Sequence, residues 1–89
     1  MRRAALATIS IENKTHERLR IGFRPTAPGG RLVFVGSVGP REIRAVAPIL
    51  AGEPVALIAL TPDGREVRLP PRSFAAGERW TWVIPGGDL

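Results

Sequence analysis

The side chains able to do acid–base or nucleophilic chemistry are few and scattered. The one histidine, His16, stands in a polar stretch, Glu12-Asn13-Lys14-Thr15-His16-Glu17, and the serines are Ser10, Ser37 and Ser73. Serine catalysis needs a base and a carboxylate within mutual reach, or a local frame such as G-x-S-x-G on a strand-to-helix turn. Gly36-Ser37-Val38-Gly39 imitates that frame, but no helical periodicity follows it. The acids Glu12, Glu17, Glu42, Glu53, Asp63, Glu66, Glu78 and Asp88 would have to supply any carboxylate pair for glycoside hydrolysis. Almost all sit beside an arginine or in a turn, as surface ion-pair partners do. There is no cysteine, which removes disulfides, thiolate nucleophiles and sulfur-ligated metals together. One histidine without cysteine does not make an ordinary zinc site. The expectation is a non-enzymatic chain with neither cofactor nor metal.

What the sequence does have is arginine. The net charge is +5, and Lys14 is the one lysine. Arg18, Arg20 and Arg24 share one side of an alternating stretch, so they form a possible anion-binding patch, extendable by Arg31, Arg44 or Arg68. Proteins that grip single-stranded nucleic acid interleave exposed aromatic rings with such charges. Here Phe23, Phe34, Phe74, Trp80 and Trp82 all fall on the inward phase of their stretches, so no stacking platform is expected. Outward arginines also discourage stray strand pairing, and that is the favoured reading. The glycines at 29–30 and 36–39 lack the G-K-[ST] ending of a nucleotide loop.

These residues are positioned by short extended segments. Val55 to Leu69 is the organising stretch: an apolar run, a Pro62-Asp63-Gly64 turn and an alternating run with Val67 and Leu69 inward. Before it, Ala5, Ala7, Ile9 and Ile11 share one face of a first strand. Leu19, Ile21 and Phe23 oppose the arginines of a second, and Leu32, Phe34, Gly36 and Val38 are the expected inner face of a third. Glu42 to Ala47 is a weaker fourth strand, and Pro48 to Pro54 reads as a loop with Ile49 and Leu50 capping the core. After Pro70-Pro71, Phe74 returns to the core, and Arg79 to Ile84 is the last strand, with Trp80, Trp82 and Ile84 inward. The pattern predicts an all-β, seven-stranded antiparallel two-sheet sandwich spanning residues 1–89 as one domain. A five-stranded closed barrel is the alternative.

At 89 residues there is room for one core only. No stretch approaches the ~18 apolar residues of a membrane span. Met1-Arg2-Arg3 before an apolar run imitates a leader, but Thr8 and Ser10 interrupt it, so it reads as strand and a cytoplasmic location is the expectation.

In the strand before Gly39-Pro40, the apolar strand before Pro62-Asp63-Gly64 and the ending S-F-A-A-G-E-R-W-T-W-V-I, the chain resembles small bacterial immunoglobulin-like and transthyretin-like sandwiches. The resemblance implies adhesion, assembly or scaffolding and carries over no functional residue. The Cys…Trp…Cys spacing of antibody-type domains is absent. Arg20 and Arg24 have a spacing similar to that of PilZ barrels, which bind cyclic dinucleotides. The companion [DN]-x-S-x-x-G is missing, with Val35 at its first position.

Two strands are apolar on both sides. Val33 and Val35 oppose the expected inner face of the third strand, and Ala56, Ile58 and Leu60 oppose Val55, Leu57 and Ala59. A two-layer sandwich buries one face per strand. The surplus residues Val33, Val35, Ala56, Ile58 and Leu60 are therefore expected to form a self-association face, unless the chain's own loops cover them. The functional expectation is a structural or protein-binding module that self-associates, with a basic nucleic-acid-binding barrel as the alternative.

Overall fold

Alternating side chains produce an all-β fold. The computed structural model describes residues 5–26, 28–46 and 48–88. Its strands are β1 (Leu6–Asn13), β2 (Leu19–Pro25), β3 (Val33–Val38), β4 (Ile43–Ala45), β5 (Ile49–Leu50), β6 (Val55–Leu60), β7 (Glu66–Arg68) and β8 (Arg79–Ile84), followed by a single 3-10 turn at Gly86–Asp88. The Met1-Arg2-Arg3-Ala4 start and Ala47, the end of the expected fourth strand, lie outside the described residues.

One sheet runs β3-β2-β6-β7, antiparallel throughout. The other is built on β1. β4 and β5 follow each other along one edge of it, and β8 takes the opposite edge. The expected seven strands are all present. β5 is the addition: Ile49 is buried as expected, but the segment pairs with Leu6 and Ala7 rather than lying over the core as a loop.

One detail of the connectivity needs correction. The sheets are not wholly antiparallel, because β8 runs parallel to β1 from Thr8↔Arg79 to Asn13↔Ile84. β1 and β2 lie in different sheets. Residue alternation reports which side of a strand is buried and carries no information about its neighbours.

The inner faces meet over Ala7, Ile9 and Ile11 of β1, Leu19 and Ile21 of β2, Leu57 and Ala59 of β6, and Trp82 and Ile84 of β8. Phe74 drops between them from the β7–β8 connection. Each of the Ile, Leu and Phe side chains among these stabilises the fold by about 1.5–3 kcal/mol through burial, so the two-residue period is the main reason the chain folds this way. The Thr61–Arg65 connection closes as the sequence predicts. The Gly64 N–H donates to the Thr61 carbonyl at 3.1 Å, and Gly64 takes φ +89°, a region its missing Cβ leaves open.

Candidate functional site

The expected inner phase of β3 is interrupted by a bulge. Ile21 pairs with Gly36 and Gly22 with Phe34, so Val35 is an extra residue in the ladder. Val35 turns against the core, while Phe34 moves to the outer face, 39% exposed. Phe34 is therefore not an inward residue. The Arg20 guanidinium stacks on its ring, 3.8 Å from the centroid.

That bulge decides what becomes of the proposed self-association face. Ile58 is only 2% exposed, yet it lies outside the core cluster. Its cross-strand neighbours are Gly22 and Arg68. A Cβ built on Gly22 would stand 3.0 Å from Leu32 Cδ1 and 3.3 Å from Phe34 Cδ1, so both side chains roof the gap beside Ile58. Ala56 and Leu60 are half-buried, and Val33 is 45% exposed at the end of β3. The five residues do not make one open apolar face, because the chain covers its own surplus with Leu32, Phe34 and the stem of Arg20.

Arg18, Arg20 and Arg24 are exposed, and none makes an ion pair among the described residues. Arg68 pairs instead with Glu66. Arg72 is engaged internally, 4.6 Å from the Phe74 ring, 4.5 Å from the Trp80 ring and 3.3 Å from Glu78, and so closes one end of the sandwich. Arg65 bridges Glu17 and Asp63, tying the β6–β7 hairpin to the β1–β2 connection.

His16 is exposed in that connection, and Ser37 pairs with Arg20 within the β2–β3 ladder. An open depression of about 350 Å³ is lined by Glu12, Asn13, Lys14, Arg41 and Ile43. Lys14 there faces Glu12 at 3.8 Å. Arg41 holds φ +61° at the third position of the Gly39–Glu42 turn, where glycine is the usual occupant. Asn13 is fully hydrogen-bonded behind the depression and offers nothing to a ligand. Among the described residues no three of His, Cys, Asp or Glu gather within metal-binding reach. No helix there is long and apolar enough to cross a membrane.

The strand edges are the remaining feature, and sequence patterning missed their inequality. Three edges carry features that hinder further pairing. β3 has its bulge. β7 has three residues, two of them charged, before Pro70-Pro71. The β4–β5 edge is broken into three and two residues, and Arg44 takes the phase of its partner Ile11, whose side chain is buried. β8 has none of these. It pairs in unbroken register over six residues and carries no charge, glycine or proline from Trp80 to Ile84. The Glu78 and Ile84 carbonyls accept from Thr8 and Lys14 of the β1 segment at 2.9 and 3.0 Å. Alternation then turns the N–H and C=O of Arg79, Thr81 and Val83 away from β1. All three side chains are exposed, Val83 to 42%.

Compared with known proteins, the chain matches no family model, no curated protein and no solved structure. The functional reading rests on the chain's own geometry.

Proposed function

We propose that this chain is a non-enzymatic structural or protein-binding module that takes up an extended strand along β8. The observation that carries this reading is the difference between the edges: β8 is the regular one, without charge, glycine or proline from Trp80 to Ile84, and its three outward N–H and C=O pairs have no hydrogen-bond partner among the described residues. Strand addition supplies affinity through main-chain hydrogen bonds and selectivity through alternate side chains, which suits a domain without a built pocket. Self-association fits this reading, but its site is the edge rather than the face of Val33, Val35, Ala56, Ile58 and Leu60. The resemblance to small immunoglobulin-like and transthyretin-like sandwiches, with the assembly and scaffolding roles it implies, supports this reading.

Titration with a capped eight-residue peptide of alternating threonine and valine tests the reading. Amide shifts are expected to concentrate at Arg79, Thr81 and Val83 and to vanish in Thr81→Pro, which lacks the outward donor. Shifts centred on Phe34 and Arg20, or none at all, would overturn it.

One observation favours the polyanion alternative, namely an exposed ring, Phe34, with the Arg20 guanidinium stacked on it. A mobility-shift series separates the readings. Nucleic-acid binding would weaken steeply with salt, whereas strand addition gives little oligonucleotide binding at any salt.

A further inference from the structure

Resting on the strand-addition reading, we infer that the strand β8 accepts is β8 of a second copy, antiparallel, with the two-fold axis passing through Thr81. The ground is self-complementarity. Outward backbone groups belong to Arg79, Thr81 and Val83, a set symmetric about its middle member. Pairing about that member matches Thr81 with Thr81 and Arg79 with Val83 of the other copy. All three pairs are of the hydrogen-bonded kind, giving about six new N–H···O bonds. A shift by one residue would set outward groups against inward ones and lose them all.

The side chains agree with this register. On the outer face Thr81 meets its own copy, a favourable cross-strand pair. The stem of each Arg79 lies over the exposed Val83 opposite, covering apolar surface while its charge stays in water. On the inner face Trp80 stands across from Trp82 of the other copy, an aromatic cross-strand pair. The two Arg79 charges are at opposite ends of the ribbon and do not oppose each other. The product is a closed C2 pair whose β1-based sheets become one continuous sheet, with β8 no longer an edge. Six residues per copy make a small interface, so dissociation on the order of 10 µM is expected.

Sedimentation equilibrium on the wild type, Thr81→Lys and Thr81→Glu tests it. Thr81 is exposed, so each variant keeps its fold, checked by circular dichroism. The wild type is expected to dimerise. Each variant alone places like charges on the axis and weakens the dimer about tenfold or more, while an equimolar mixture of the two regains it. A wild type monomeric to about 1 mM, or variants as dimeric as the wild type, would overturn the pairing. Should both variants fail to fold, Thr81-to-Thr81 contacts in a mixed-label sample of the wild type decide the question. The threonine–valine peptide in the same samples distinguishes the two levels. A monomer that still takes the peptide at β8 sinks the second copy alone, and one that takes neither sinks strand addition too.

Discussion

Asn13 shows how one residue fixes the end of the sandwich that also carries the β6–β7 turn. Its Nδ2 donates to the carbonyls of Glu17, Val38 and Gly39 at 2.8, 3.2 and 3.0 Å. Its Oδ1 accepts from the N–H and hydroxyl of Thr15 at 2.9 and 2.7 Å. The amide is completely buried, so truncation strands carbonyls and donors that water does not reach. Asn13→Ala is expected to cost about 2–4 kcal/mol in urea unfolding, and a loss below about 1 kcal/mol would contradict the account. The sequence places Asn13 in a polar connection, but it is the last residue of β1, and its Oδ1 accepts from the Thr15 N–H at the start of that connection. Its long-range bonds to Val38 and Gly39 depend on tertiary neighbours and were not legible. Asp63 works by charge instead. The Thr61 hydroxyl and then the Arg65 guanidinium hold its carboxyl below the ordinary value of 3.8. The folded-state value is the lower, so the carboxylate stabilises the fold above pH 3.8, and that contribution is lost as pH falls through the depressed value. Asp63→Asn is expected to flatten the fall in unfolding midpoint as pH drops below about 4, and an unchanged slope would count against the role.

At the scale of the elements, β2 and β3 show where sequence periodicity holds and where it fails. Leu19 and Ile21 are inward and Arg18, Arg20 and Arg24 outward, as alternation dictates. In β3 the same rule assigns Phe34 to the wrong face, because one bulged residue inverts the phase beyond it. The signal that could have revealed it is Gly22, a gap in an otherwise full strand. A Cβ there would stand 3.0 Å from the Val33 carbonyl, a backbone atom that cannot swing aside. Gly22→Ala is therefore expected to cost about 1–3 kcal/mol and to broaden or shift the Phe34 ring resonances, and a neutral effect would mean the bulge is soft. The β6–β7 hairpin was fully legible because its turn chemistry is local. The β1–β8 pairing was not. Its strands begin at residues 6 and 79, and nothing in either run names the other. Arg18, Arg20 and Arg24 were legible as outward residues, but the stacking of Arg20 on Phe34 was not.

For the whole molecule, the question is how a small two-layer sandwich treats its open sides. The outer face of the β2–β3–β6 region is closed by the chain's own Leu32, Phe34 and Arg20, and three of the four edges are made unfit for pairing. β8 is left ready, with its N–H and C=O groups alternating between β1 and the outside. Binding at this edge, by a second copy in the first place, is the central claim. Amide hydrogen exchange of the wild type across a concentration series tests it most directly. Trp80, Trp82 and Ile84, bonded to β1, should exchange slowly at every concentration. Arg79, Thr81 and Val83 should exchange quickly when dilute and slow down together as concentration rises through about 10 µM. If those three amides stay fast throughout, or are already slow in the dilute protein, the account of β8 is contradicted.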